Sequence, residues 1–173
     1  MQVILGDICY PKTEAMIIPA NTKGIMSRGV SAKVVKDGLS AILKESKQFA
    51  SNNKIEVGDC YTTGPGRLNR RGVKKIYHSV IKRLQSDFSS IYIINKALKT
   101  VLQKVVGDGY KSVAICGLGI DEGNLDPKTV ARITAEICNK YDSNIEIKII
   151  DDNKEFIKEI NNFLKEFNHV ISE

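Results

Sequence analysis

Residues 112–123, Ser-Val-Ala-Ile-Cys-Gly-Leu-Gly-Ile-Asp-Glu-Gly, carry an apolar run that breaks into three spaced glycines just before Asp126-Pro127. Glycine lets backbone N–H groups come close to an anion. Asp at an N-cap and Pro at the first helical position fix where the next helix begins. Together they predict a strand turned into a phosphate-cradling loop, and so a nucleotide ligand. Two other readings stay open. The strand, Gly117-Leu118-Gly119, the following helix, the strand Asn144 to Ile150 and Asp151 imitate a dinucleotide-binding unit in which a terminal acid holds a ribose. Its glycine spacing is instead G-x-G-x-x-x-G, and only one helix follows where that fold needs further strand-helix units. The other is an ordinary tight strand-to-helix turn.

The start of the chain supplies a second set of polar residues. Gly6-Asp7-Ile8 follows the first apolar run, and Ile17-Ile18-Pro19-Ala20-Asn21 leads through Thr22 to Ser31 into a helical pattern. Ligands of open α/β sheets sit beyond the carboxyl ends of the strands. Loops at Asp7, at Asn21 to Ser31 and at Gly117 to Gly123 are therefore expected to converge on one crevice. One acid, one amide and two glycine-containing loops suit a nucleotide with a polar base and a diphosphate.

Charge is unevenly placed. The net charge is +6, and Arg67, Arg70, Arg71, Lys74, Lys75, Lys82 and Arg83 fall in one stretch without an acid, whereas acids outnumber bases from Asp151 onward. An anionic partner, nucleic acid included, is one expectation. The other is a solvated polar hairpin at Asn69-Arg70-Arg71-Gly72. No aromatic interleaving that would stack bases is visible in this stretch, and helix-turn-helix and zinc-finger spacings are absent.

The elements that must position these residues alternate. Strands are predicted at Gln2 to Leu5, Ala15 to Ala20, Asp59 to Thr63, Lys75 to Ile81, Ser112 to Cys116 and Asn144 to Ile150, each rich in β-branched residues and bounded by Gly, Asp or Asn. An interrupted helix is predicted from Ala32 past Gly38 toward Phe49. Ile91 to Val106 places Ile94, Ala97, Leu98, Val101, Leu102 and Val105 on one stripe. Two more helices follow, from Pro127 to about Lys140 and from Lys154 to Phe167. The expectation is a single α/β domain over residues 1–173, three layers deep with a mixed sheet. At 173 residues, 42% hydrophobic and 27% charged, the chain has the composition of one soluble globular domain. No signal peptide or bilayer-spanning run is recognisable, so a cytoplasmic monomer is expected, without membrane association. Cys9, Cys60, Cys116 and Cys138 lack C-x-x-C spacing and read as reduced, mostly buried thiols, with neither metal nor cofactor implied. His78 reads as a buried strand histidine, and His169 carries no signal.

The motifs, taken in order, resemble the macro domains, a family that binds ADP-ribose in a three-layer α/β/α fold. The resemblance covers nearly the whole chain. It runs through G-D-I after strand one, an A-N turn opening a loop that ends in Gly29-Val30, V-G-D-x-x-x-T-G-x-G-x-L from Val57 to Leu68, the strand Ile76-Tyr77-His78, and the second Gly-rich loop before Val130-Ala131-Arg132. The wording from Asn21 to Val30 is similar to the divergent branch that removes ADP-ribose from nucleic acid or acidic side chains.

Carried over position by position, the resemblance implies that Asp7 accepts from the adenine amino group, with the Ile8 backbone assisting. It places Asn21 near the distal ribose. Ser27, Arg28, Gly29, Val30 and Ser31 match the first phosphate-proximal loop; Leu118, Gly119, Ile120, Asp121 and Glu122, closed by Gly123, match the second. Departures are visible too: Ile18 stands where many hydrolytic members have asparagine, Ser27-Arg28-Gly29 replaces a glycine triplet, and loop two carries two acids. A carboxylate within about 5 Å of a phosphate is repelled unless a cation intervenes. So these acids are expected to point away, or to be balanced by Arg28, whose guanidinium can grip phosphate bidentately, or else the ligand differs from ADP-ribose. Hydrolases of the divergent branch use a lysine near the end of the fourth main strand, which attacks the ribose carbon to give a Schiff base, and an acid in loop two. Lys82 falls near that lysine and Asp121 near that acid, although an ungapped match anchored on Leu125 and Val130 puts Gly123 there. Three functions are thus expected to compete: a module binding ADP-ribose or an ADP-ribosylated macromolecule, a glycohydrolase with a lysine nucleophile, and a basic protein contacting nucleic acid.

Overall fold

The computed structural model describes the backbone of residues 1–171 and the side chains of residues 1–167; the side chain of His169 lies outside that range. Six strands and five helices follow in the order β1 (Gln2–Leu5), β2 (Ala15–Asn21), α1 (Gly29–Gly38), α2 (Ser40–Asn52), β3 (Cys60–Thr63), β4 (Lys75–Lys82), α3 (Ile91–Gly107), β5 (Ser112–Ile115), α4 (Pro127–Tyr141), β6 (Glu146–Asp151) and α5 (Lys154–Ile171), with a 3₁₀ helix at Gly66–Arg71. The sheet order is β1-β6-β5-β2-β4-β3. All neighbours are parallel except β3 and β4, so the sheet is mixed. Helices α1 and α2 pack together on β2 and β3, while α3, α4 and α5 form the other layer of this α/β/α fold.

Parallel pairing puts the carboxyl ends of β1, β2, β4, β5 and β6 on one edge. Asp7, Asn21, Lys82, Cys116 and Asp151 are therefore gathered at that edge by topology alone. The stripe expected on α3 forms: Ile94, Ala97, Leu98, Val101, Leu102 and Val105 are all fully buried. Each large side chain of that stripe contributes about 1.5–3 kcal/mol by leaving water. Asp126 accepts the Thr129 N–H at 2.9 Å and Pro127 opens α4, as the sequence requires.

One local expectation holds and another changes. The interrupted helix divides at Leu39, whose φ is 74°. The cause is close backbone approach: a Cβ on Gly66 would lie 2.1 Å from the Gly38 carbonyl oxygen, and one on Gly38 would lie 2.2 Å from the Ile42 side chain. The polar hairpin expected at Asn69-Arg70-Arg71-Gly72 is instead the end of the 3₁₀ helix, because Leu68 is drawn into the core and Gly72 closes the turn with φ 94°.

The basic stretch is not one surface either. Lys75 begins β4 and Lys82 ends it, about 23 Å apart at strand rise. Arg71 donates to Asp37 Oδ2 at 2.9 Å and to Cys9 O at 2.8 Å and lies over the Tyr10 ring, while Lys74 pairs with Glu14. The cysteines match expectation, with Cys9, Cys116 and Cys138 buried, Cys60 half-buried and all four free.

Candidate functional site

At one end of the strand edge, Asp7 Oδ1 accepts the Cys9 N–H at 2.9 Å and so fixes the turn after β1. Ile8 beside it is buried. This end encloses only about 10 Å³, between Asp7, Ile8, Val30 and Asp151, and Lys33 reaches across it to pair with Asp152. Asp151 gives its two oxygens to the backbone, taking the Gly117 N–H at 2.9 Å and the Asn153 N–H at 2.8 Å. It therefore anchors loop two and the entry to α5, and burial pushes its carboxyl above the usual range.

Asn21 ends β2 fully buried. Its amide donates to Ile25 O at 2.8 Å and Gln85 Oε1 at 2.9 Å and accepts from the Lys23 and Ile25 N–H groups at 3.0 and 3.2 Å. With both donors and two acceptor positions used, it organises loop one, and a ribose contact would displace one of these bonds. Ser27 and Arg28 are exposed; Gly29 has φ 53°, and Ser31 is buried at the start of α1.

Loop two is built by its glycines packing against neighbours. Gly119 has φ 92°, and a Cβ there would lie 2.8 Å from the Ile94 side chain; a Cβ on Gly123 would lie 2.7 Å from Gly119 O. Leu118 is buried, Ile120 half-buried and Asp121 exposed. Glu122 turns inward. Its Oε1 lies 2.9 Å from Ser31 Oγ, and Ser31 Oγ also lies 3.0 Å from Pro19 O. The repulsion expected from two loop-two acids thus divides: Asp121 faces out, and Glu122 bridges the loops.

Lys82, at the end of β4, is only 3% exposed. Its ammonium donates to Glu122 O at 2.6 Å and Gln85 O at 3.1 Å. Burial pulls its pKa below the ordinary lysine value, with Glu122 opposing and Arg28 reinforcing. Burial likewise pushes the Glu122 carboxyl up, against Ser31 and Lys82. A cavity of about 310 Å³ opens beside them, with Arg28, Gly29, Asp121, Phe88 and Asn124 in its wall. A larger cavity, about 700 Å³, adjoins it across the turn after β4, with Thr22, Lys23, Lys54, Ile55, Arg83 and Leu84 in its wall and Asp87 common to both.

Lys82, Arg28, Asp121 and Glu122 are thus brought together, while Asp7 and Ile8 lie at the far end beyond the Ser31 to Glu122 bridge. Sequence reasoning missed Gln85 and the larger cavity; a polar residue three positions after Lys82 was the one signal. Among the described residues, no group of three His, Cys, Asp or Glu is placed to hold a metal ion. No described helix is long and apolar enough to cross a membrane.

A family model described as Macro domain matches residues 17–134. The chain belongs to the macro domain family. Asp7 and β6 lie outside the matched span, and Lys82 and loop two lie within it. This macro domain is 27% identical over 150 residues to an uncharacterized protein of Aquifex aeolicus, covering 87% of each chain. It superposes on the macrodomain of Mycobacterium tuberculosis DarG with a TM-score of 0.76 at 19% identity, covering 86% of this chain and 97% of that one. A mutant macrodomain of Oceanobacillus iheyensis, solved with ADPR, gives a TM-score of 0.84 at 14% identity, covering 96% and 92%. At such identities these superpositions establish the fold.

Proposed function

We propose that this macro domain binds ADP-ribose, or an ADP-ribose derivative, along the strand edge from Asp7 to Lys82. The observation that carries the reading is the convergence of Asp7, the Gly29 turn, loop two and Arg28 on that edge, in a family one of whose structural neighbours holds ADPR. In it Asp7 keeps an oxygen for the adenine amino group beyond the one serving Cys9. Backbone N–H groups of the two loops, with Arg28, take the diphosphate. Calorimetric titration with ADP-ribose tests it. Binding is expected, and Asp7→Ala should weaken it by about 1–3 kcal/mol, the cost of a lost charged hydrogen bond. Unchanged affinity in a variant with the native circular dichroism spectrum would remove Asp7 from the site.

A second reading, removal of ADP-ribose from a modified macromolecule, is favoured by one observation: a buried lysine with a lowered pKa in the cavity wall. The Lys82 amine would attack the anomeric carbon of the distal ribose and the bond to the leaving oxygen would break. That oxygen would take a proton from the loop-two acid, Asp121 or Glu122. Loss of the amine proton and ring opening would give a Schiff base that water hydrolyses, returning the amine. No cofactor enters this sequence. Lys23 and Arg83 in the larger cavity make no ion pair among the described residues, which supports a nucleic-acid acceptor. Four free thiols support a cytoplasmic protein, here taken to act as a monomer.

A further inference from the structure

The contact between Glu122 and Ser31 poses a proton-counting problem. A serine hydroxyl has one proton to give. Ser31 Oγ lies 3.0 Å from the Pro19 carbonyl oxygen and 2.9 Å from Glu122 Oε1, all three groups sheltered from water. If Ser31 donates to Pro19, two oxygens face each other at 2.9 Å unless Glu122 carries a hydrogen and donates it to Ser31. Each contact is a full two-centre hydrogen bond only when Glu122 is a neutral carboxylic acid; with a carboxylate, the single Ser31 proton has to be shared between two acceptors.

The same side chain divides the crevice. Glu122 Cγ and Oε1 lie 3.2 Å from where a Cβ on Gly29 would stand, so the carboxyl packs tightly beneath loop one and a side chain there would press on it. On one side is the cavity of about 310 Å³ at Lys82, and on the other the Asp7 end with about 10 Å³. A ligand reaching from Asp7 to Lys82 has to pass where this carboxyl lies.

We propose that Glu122 is a proton-held latch: as a carboxylic acid it bonds Ser31 and joins loop two to loop one across the diphosphate path, and it must swing into solvent to admit ADP-ribose. This rests on the ADP-ribose reading above and adds its regulation. The charged groups around Glu122 are Lys82 on β4, Arg28 ahead of α1, Asp121 within loop two and Asp87 in the segment after β4. Lys82 and the Ser31 hydrogen bonds favour the carboxylate, but burial is the larger effect and raises the carboxyl's pKa above its ordinary value. Once outside, Glu122 regains an ordinary carboxylate pKa of about 4.3 and ionises.

A sign for pH follows. The closed form binds a proton that the open, liganded form releases, so affinity rises with pH from the ordinary carboxylate range up to the raised value and levels off above it. His78 does not confuse the measurement, because burial lowers its pKa to about 3.

The test is calorimetric titration of ADP-ribose between pH 5 and 7.5, in two buffers of different ionisation enthalpy, on the wild type, Glu122→Gln and Glu122→Ala. The wild type is expected to release a proton on binding and to tighten with pH, by up to tenfold per pH unit within the window. Glu122→Gln keeps a donor for Ser31 at every pH, and should bind independently of pH and roughly tenfold more weakly than Glu122→Ala. A pH-independent wild type, or two variants of equal affinity, would overturn the latch. If Glu122→Ala, folded by thermal melting, binds no ADP-ribose at any pH, the ADP-ribose reading itself fails.

Discussion

Lys82 donates to two main-chain carbonyls in a site that water barely reaches, and this gives its chemistry a pH dependence. A lysine nucleophile acts through its neutral amine, and burial lowers the pH at which that form becomes common. Release of ADP-ribose from a modified oligonucleotide or glutamyl protein is therefore expected to rise with pH through the lowered pKa and then level off. Lys82→Ala should lose the activity, and borohydride should join the wild type, but not the variant, to ADP-ribose. Robust release by Lys82→Ala would sink the lysine mechanism. The positions of Asp7, Lys82 and the two loops at the strand edge were legible because each lies at or just after a strand's carboxyl end, and strands announce themselves by β-branched runs. Which loop-two acid turns inward was not legible. Asp121 and Glu122 are neighbours of like chemistry, and their directions are set by left-handed backbone at Gly119 and Asn124, with φ 92° and 55°, which leaves no period in the sequence.

At the scale of elements, loop one is held by Gly24, three residues past the end of β2. Gly24 has φ 65°, and a Cβ on it would stand 2.4 Å from the Ser46 carbonyl oxygen on α2. Ser46 returns the contact by donating to Gly24 O at 3.1 Å. Gly24→Ala forces both a left-handed alanine and a backbone shift, so a loss of about 2 kcal/mol or more is expected in urea unfolding. Because Asn21 bonds Ile25 across the same turn, the variant should also weaken ADP-ribose binding. A stability within a few tenths of a kcal/mol of wild type would show that α2 yields freely. The break between α1 and α2 was anticipated near Gly38, but its cause was not, since the partner glycine lies at position 66 and only tertiary packing sets the two backbones together. The failed hairpin has the same origin: Asn-Arg-Arg-Gly is turn-like by composition, and burial of Leu68 decided which turn it makes.

For the whole molecule, the pH dependence of stability is set in part by His78, buried midway along β4. Its Nε2 lies 2.9 Å from Thr63 Oγ1, its ring stacks on Tyr61 at 4.5 Å, and burial lowers its pKa from 6.5 to about 3. The unfolded chain accepts a proton below pH 6.5 that the native ring refuses. The stability this neutral ring contributes is present above that pH and drains away as pH falls toward 3, by about 1.4 kcal/mol per pH unit. The raised carboxyls of Glu122 and Asp151 act in the opposite sense, stabilising at acid pH and losing that contribution as pH rises through their folded pKa values. Urea unfolding at pH 7 and 5.5 should show the loss, and His78→Phe, which keeps an aromatic ring against Tyr61, should flatten it. An equally steep decline in His78→Phe would assign the effect to other groups.

Among the described residues strand β1 has a single neighbour, β6, and Gly6 N–H bonds Asp151 O at 2.9 Å where the two strands end. The turn bearing Asp7 therefore takes its place from residues that leave the ribosome long after it. During synthesis, loop one, Lys82 and loop two can emerge and collapse together while Asp7 still has no strand to lie against. Until then β1 is a loose end and the flank of β5 is open for β6. Non-local parallel pairings of this kind close slowly, because the chain between must be gathered first. One end of the crevice is thus finished last, and a chain stalled before β6 would hold the lysine with nothing built at the acid.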